Sequence, residues 1–331
     1  MKKIGMIGAG SWGTALTWLL GNNGHEVTMW SAIEQEINLL KENHEQTEKL
    51  PGAKLSDSTS YTTDIKEACE DKDMLVLAVP SSFTRSTAKA MAPFVKDGQV
   101  IVSVAKGLEE DTLMTLTDII EQEIPQSRTV VLCGPTHAEE VGSGMPTLIV
   151  AGSKNIEDAD YVADVFMSEV FRVYTSDDPF GMQISAACKN VIALAAGIAD
   201  GLEYGDNTKA ALITRGIAEI TRLGIAAGGK ERTFSGLTGI GDLIVTCASM
   251  HSRNRRAGIL MGQGKTADEA MKEVHQVVEG VFCAKAAMQL AEKYNVEIPI
   301  IHEVNDVLFH GKDPKDGIRD LMLRDRKQEW E

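Results

Sequence analysis

What this chain of 331 residues lacks already narrows what it can be. Its cysteines number five, Cys69, Cys133, Cys188, Cys247 and Cys283, scattered and never spaced as Cys-x-x-Cys. An odd, dispersed set reads as reduced thiols in a cytoplasmic protein. Positive charge is also short: 33 Lys and Arg against 48 Asp and Glu leave a net charge of −15. That balance argues against nonspecific binding to nucleic acid or an anionic membrane. An anionic ligand must therefore be held by a local cluster of positive groups. The N-terminal region has no uninterrupted apolar run approaching the ~20 residues of a membrane span, and no signal-peptide pattern. Met1-Lys2-Lys3 runs directly into the first apolar segment, so a cytoplasmic protein without membrane insertion is expected. Metal chemistry finds little support, since His302-Glu303 lacks the second histidine that a zinc helix needs four residues on. Internal repeats and low-complexity tracts are absent as well. With 43% hydrophobic and 24% charged residues, the composition is that of an ordinary soluble enzyme, long enough for two domains with substantial cores.

What is present begins at Gly8-Ala9-Gly10-Ser11-Trp12-Gly13, between the apolar run Ile4–Ile7 and the segment Thr14–Leu20. Strand, Gly-x-Gly-x-x-Gly and helix in that order form a dinucleotide-binding unit. Gly8 permits the tight turn, Gly10 lets backbone approach a pyrophosphate, and Gly13 allows close helix packing. The helix start then presents free N–H groups and its positive dipole end to phosphate. A second strand, Glu26–Trp30, follows a glycine stop at Gly21-Asn22-Asn23-Gly24. Directly after it stand Ser31-Ala32-Ile33, neither acidic nor basic, and Glu34 is the first acid. A helix is expected over 33–43, then a loop through Leu50-Pro51-Gly52. Continuous apolar runs over 73–80, 99–104 and 129–133 read as strands covered on both faces. Each ends in a polar or glycine-rich loop: Pro80-Ser81-Ser82, Ala105-Lys106-Gly107 and Gly134-Pro135-Thr136-His137. Ligands bind at the carboxyl ends of such strands, so chemistry belongs in those loops. Two more strands, at 147–151 and 171–175, flank a helix at 155–167.

From Asp178 the pattern changes to long helices, including 180–200 and 207–227. A domain boundary near 178–182 divides residues 1–179 from 180–331. Lys189 is the lone charged residue between Asp178 and Asp200, so it must snorkel to water, pair with an acid, or lose its proton. Burial depresses a lysine pKa by as much as ~3–5 units, into the range of a general base. Lys106 follows a buried strand, which suits either a site residue or an ordinary surface lysine. Asp242 lies in the glycine-dense stretch 235–243, which marks either close approach to a ligand or a helix–helix crossing. Ser252 is a suitable N-cap for a helix carrying Arg253, Asn254, Arg255 and Arg256. A helix start, an Arg fork and an Asn amide suit a phosphate, or else form a solvated basic face. Cys188 reads as a small buried hydrophobe and His137 as a polar loop residue.

Seven ordered motifs now converge: 8–15, Ala105-Lys106-Gly107, Cys133 to Ala138, Ala187-Cys188-Lys189-Asn190, Gly239 to Leu243, Ser252-Arg253-Asn254 and Val277-Val278-Glu279-Gly280. Together they closely resemble the bacterial NAD(P)-dependent sn-glycerol-3-phosphate dehydrogenase family, from Lys3 to about Asp320. The resemblance implies an α/β fold, a Rossmann-type dinucleotide-binding domain followed by an all-helical C-terminal domain, with the active site between them. It implies NAD(P)H as cofactor, no metal, and interconversion of glycerol 3-phosphate with dihydroxyacetone phosphate, supplying the phospholipid backbone. By motif, Lys189 is the proton acceptor and Lys106 contacts both substrate and cofactor. Gly134, Thr136, Asp242, Ser252, Arg253 and Asn254 line the substrate site. Alongside Gly8, Gly10 and Gly13, the cofactor contacts are Ser11, Trp12, Ala138, Arg253, Val277 and Glu279. Relatives often carry Arg or His just after the second strand, where this chain has Ala32 and Ile33, which leaves NADP preference open. A homodimer is implied as plausible. The alternative is a related two-domain 2- or 3-hydroxyacid or ketoacid reductase, which the phosphate-ready 252–254 group disfavours.

Overall fold

Alternation along the central strands explains the first half of the molecule. In the computed structural model, which describes residues 1–329, Met74 and Val76 enter one apolar cluster while Leu75 and Leu77 enter another. Side chains of successive strand residues point to opposite faces, so a continuous apolar run demands cover on both. The strands are β1 (Lys3–Ile7), β2 (Glu26–Trp30), β3 (Ser60–Thr62), β4 (Met74–Leu77), β5 (Val100–Ser103), β6 (Arg128–Cys133), β7 (Thr147–Gly152) and β8 (Phe171–Ser176). They form one sheet in the order β3-β2-β1-β4-β5-β6-β7-β8. Neighbours are parallel except β6 and β7, where Leu132 pairs antiparallel with Ala151. The strand order reverses between β1 and β4, the place where an open α/β sheet leaves a crevice at its carboxyl edge.

The cover is α1 (Ser11–Asn22), α2 (Glu34–Asn43), α3 (Ile65–Cys69), α4 (Thr84–Met91), α5 (Leu116–Glu123), α6 (Ala138–Gly142) and α7 (Ile156–Phe166). Leu16, Leu19, Ile37, Val162 and Phe166 pack on the Met74–Val76 face. Ala68, Ala88, Met91 and Ile120 pack on the other. The expected strands all form, although 73–80 shortens to Met74–Leu77 and 99–104 to Val100–Ser103. The strand β3 and the helices α3, α4, α5 and α6 were not anticipated. Strand β3 is a three-residue edge in a polar stretch, and the helices span only five to eight residues, too few for periodicity to register.

From Pro179 onward the described chain is helical: α8 (Pro179–Gly201), α9 (Asp206–Ala226), α10 (Glu231–Phe234), α11 (Asp242–Ala248), α12 (Arg253–Gly262), α13 (Ala267–Val274), α14 (Glu279–Tyr294), α15 (Pro299–Phe309) and α16 (Pro314–Met322). Residues 330 and 331 of the expected helical half lie outside the described residues. Helix α8 is the axis. Pro179 occupies its first turn, and the Asp178 carboxylate accepts from Gly181 N at 2.9 Å. Among the described residues it is the one helix long and apolar enough to cross a membrane, yet its apolar window is entirely enclosed by its neighbours.

Glycines set how closely α12 approaches α8. A Cβ at Gly197 would lie 2.1 Å from Arg255 O, and one at Gly258 would lie 2.2 Å from Leu194 O. One turn on, Gly201 and Gly262 repeat the arrangement against Ile259 O and Ile198 O at 2.2 and 2.3 Å. Backbone therefore rests on backbone, which draws the start of α12 toward Lys189. Gly258→Ala is expected to overpack this crossing by about 1–3 kcal/mol or more, measured by urea unfolding. Gly205→Ala, where a Cβ meets nothing within 4 Å, is expected to stay within about 1 kcal/mol of the parent.

Candidate active site

A cavity of about 830 Å³ lies between the carboxyl edge of the sheet and the helical half. One wall is the β1–α1 turn. Gly8 has φ +128°, and a Cβ there would meet Ala78 O at 2.7 Å. At Gly13 a Cβ would strike Gly8 O at 2.2 Å, so this glycine is required by packing. Gly10 differs, because a Cβ there would enter open space at the cavity. Helix α1 starts at Ser11 with no side-chain cap and no acid in its first turn. An open glycine cradle before an uncapped helix start fits the pyrophosphate of a dinucleotide.

The opposite wall carries two lysines on one carboxylate. Lys189 Nζ lies 2.7 Å from Asp242 Oδ1 and 2.5 Å from Thr246 Oγ1. Lys106 Nζ, from the loop after β5, lies 2.7 Å from Asp242 Oδ2 and 3.1 Å from Gly134 O. Asp242 is fully buried at the start of α11, one turn before Thr246, whose hydroxyl donates to Asp242 O at 2.6 Å. Burial pushes the Asp242 carboxyl up, but the two ammoniums outweigh it and hold it below its usual range. For Lys189, only 4% exposed, burial is the larger influence. Attraction from Asp242 opposes burial, repulsion from Lys106 adds to it, and the ammonium is brought down to about 8. Of the three fates open to this lysine, the structure selects pairing with an acid.

Helix α12 supplies the second positive group. Ser252 caps it by accepting from Arg255 N at 3.2 Å. Asn254 donates to Asn190 Oδ1 at 3.0 Å and accepts from Gly280 N at 2.9 Å, tying α12 to α8 and α14. The Arg253 guanidinium has no hydrogen bond or ion pair among the described residues and lines the cavity. Burial pulls it below its usual range, Glu279 opposing. Glu279 accepts from Ser81 Oγ at 2.5 Å and from Ser81 N at 3.2 Å, a bond between the helical half and the loop after β4. Burial raises its carboxyl despite those bonds.

Thirteen of the sixteen residues singled out in the sequence line this one cavity: Gly8, Gly10, Ser11, Trp12, Lys106, Thr136, Ala138, Lys189, Ser252, Arg253, Asn254, Val277 and Glu279. Gly13, Gly134 and Asp242 stand behind its wall. Gly134 presents its carbonyl to Lys106 and to the Thr136 hydroxyl, and Asp242 is saturated by the lysines. Thr246, Asn190 and Ser81 are partners that sequence reading did not single out for a role. The signal for Thr246 was its place one helical turn after Asp242; Ser81 follows a strand end. His137 is in the loop before α6, as expected; it lines the cavity, and burial with the two lysines holds the imidazole below its usual range. Cys188 is fully buried with its thiol pushed up to about 12, as a small hydrophobe. Among the described residues no cluster of side chains could hold a metal.

Two family models match the chain, the NAD-dependent glycerol-3-phosphate dehydrogenase N-terminus over residues 3–159 and its C-terminus over 178–319. The glycerol-3-phosphate dehydrogenase (NAD(P)+) of Agathobacter rectalis is 64% identical over 99% of this chain and 98% of its own length. That of Bacillus subtilis is 50% identical over 100% and 97%. The crystal structure of the Coxiella burnetii glycerol-3-phosphate dehydrogenase superposes with a TM-score of 0.94 at 33% identity, covering 98% of this chain and 99% of that one. A ketopantoate reductase from Ralstonia eutropha, covering 96% and 100%, shares only the fold, at 17% identity and a TM-score of 0.63.

Asp242→Asn would strip the charge that both ammoniums share. Removing one partner of a buried pair typically costs about 3–5 kcal/mol, and a loss of that size is expected in urea unfolding at pH 7.

Proposed function

The chain belongs to the NAD-dependent glycerol-3-phosphate dehydrogenase family and interconverts sn-glycerol 3-phosphate and dihydroxyacetone phosphate with NAD(P), and we propose that Lys189 is its proton acceptor. The observation that carries this role is a buried lysine, brought down to about 8, that lines the cavity together with the glycine turn. A bound nicotinamide would supply the acceptor for the hydride of substrate carbon 2. Lys189, as the free amine, takes the proton of the carbon 2 hydroxyl. The ammonium that results is held by Asp242 at 2.7 Å and by the Thr246 hydroxyl at 2.5 Å. In reduction the same proton returns to the carbonyl oxygen. Lys106, fixed by Asp242 and Gly134 O, offers positive charge to the oxygen as it becomes an alkoxide.

Arg253 and the start of α12 take the substrate phosphate in this reading. An unpartnered guanidinium beside an N-terminal turn is suited to a dianion in a chain of net charge −15. Asn254 acts by fixing α12, since its amide is bonded to Asn190 and Gly280. The turn over Gly8, Gly10, Ser11, Trp12 and Gly13 takes the cofactor pyrophosphate, with Ala138, Val277 and Glu279 on the surrounding wall. We divide the chain into a cofactor domain, 1–179, and a substrate domain from 180, on the change from strands to helices at Pro179. A cytoplasmic location is supported by five buried, unbridged cysteines, which suit a reducing compartment. A homodimer rests on the family likeness and is checked by light scattering. The glycerol 3-phosphate formed serves phospholipid synthesis.

Lys189→Met keeps the stem volume and removes the titrating head. Single-turnover hydride transfer with cofactor bound is expected to fall roughly 10²–10⁴-fold, while cofactor affinity changes little. A rate within threefold of the parent would leave Lys189 a packing residue. The oxidation rate is expected to rise with pH through about 8, as the ammonium becomes the free amine, and reduction to fall over the same interval. Arg253→Ala removes a charged contact typically worth about 1.5–3 kcal/mol. Dihydroxyacetone phosphate is then expected to bind roughly ten- to a hundredfold more weakly, with unphosphorylated dihydroxyacetone nearly unaffected. Equal losses for both would reassign Arg253 to the fold or the cofactor.

A further inference from the structure

The end of β2 carries no charged residue, yet charge reaches it from two other places in the chain. Ser31 is buried there. Its hydroxyl accepts from Ile33 N at 3.1 Å and donates to Glu36 Oε2 at 2.7 Å. Glu36, in the first turn of α2, thus returns a carboxylate to the site where dinucleotide folds keep an acid for the adenosine ribose. The other Glu36 oxygen pairs with Lys49 Nζ. Lys49 comes from a loop clamped onto the glycine turn: Gln46, 1% exposed, donates to Ala9 O at 3.2 Å, and Leu50 N donates to Gln46 O at 2.9 Å. Leu50 is itself buried against Gly142. Glu36 and Lys49 both line the cavity beside Trp30 and Ile33, and the Lys49 side chain is 38% exposed at the rim.

From this arrangement we infer that the Glu36–Lys49 pair reads the 2′ position of the adenosine ribose. Glu36 accepts from a free 2′-hydroxyl, and Lys49 donates to a 2′-phosphate. An ammonium has three donors, and only one is committed to Glu36; the carboxylate keeps acceptor sites beyond those used by Ser31 and Lys49. The pair is neutral overall, so neither form of the ribose meets an uncompensated like charge. The inference rests on the reading of the cleft as a NAD(P) site and assigns a discrimination that Ala32 and Ile33 cannot provide.

Binding alone tests it. Calorimetry with AMP and with adenosine 2′,5′-bisphosphate would be run on the parent, Lys49→Met, Lys49→Arg and Glu36→Gln, with NADH and NADPH binding followed by fluorescence. The parent is expected to bind the two nucleotides within roughly tenfold of each other. Lys49→Met is expected to weaken the bisphosphate roughly tenfold or more and AMP by less than threefold, with Lys49→Arg restoring the bisphosphate. Glu36→Gln is expected to weaken AMP while leaving the bisphosphate unchanged or tighter. NADPH and NADH should follow the same pattern. If both reduced cofactors bind the parent and neither variant moves their ratio, the pair is a surface ion pair and this inference fails alone. If the parent binds neither reduced cofactor, the reading of the cleft falls and the inference with it.

Discussion

Asp242 gives one carboxylate oxygen to an ammonium from each half of the molecule. Lys106 arrives from the loop after β5, and Lys189 from the middle of the central helix. A single buried charge thereby fixes the position of two cations, opposes the burial that lowers the Lys189 ammonium, and ties the sheet to the helices. Burying Lys189 without it would be prohibitive, and burying Asp242 without its two ammonium partners equally so. The arrangement is tolerable only as a triad, with Thr246 and Gly134 O filling bonds that water would otherwise make.

Most of what surrounds the triad exists to bring its parts together. Helix α8 can be apolar on every side because neighbours enclose it, so the cost of burying Lys189 falls on one defined partner. The glycine crossing of α8 and α12 brings the start of α12, with Arg253, to the same cavity. Asn254 then fixes α12 to α8 and α14, and Glu279 at the head of α14 reaches back to Ser81 in the sheet half. The bonds that cross between the two halves at the cavity are therefore those of Glu279 with Ser81 and of Lys106 with Asp242.

The division between what the sequence determined and what tertiary structure decided follows the range of the interactions. Period-2 runs with both faces apolar identify β1, β4, β5 and β6, and the glycine spacing at 8, 10 and 13 identifies the turn, because these depend on neighbours a few residues away. The lone charge of Lys189 between Asp178 and Asp200 was visible for the same reason. Its partner was not: Asp242 is 53 residues further along the chain. Nothing local distinguishes pairing from snorkelling or deprotonation. Asp242 likewise read as either a ligand contact or a helix crossing until two lysines were found on it. The 31–33 segment looked uncharged because its charge is supplied by Glu36 and by Lys49, carried back by a loop that a hydrogen bond to Ala9 holds in place. Local pattern determines which segments form and where a site can open. Which side chains share that site, and so which protons and charges it holds, is decided by long-range packing, since burial and Coulomb interaction depend on distance in space and not along the chain.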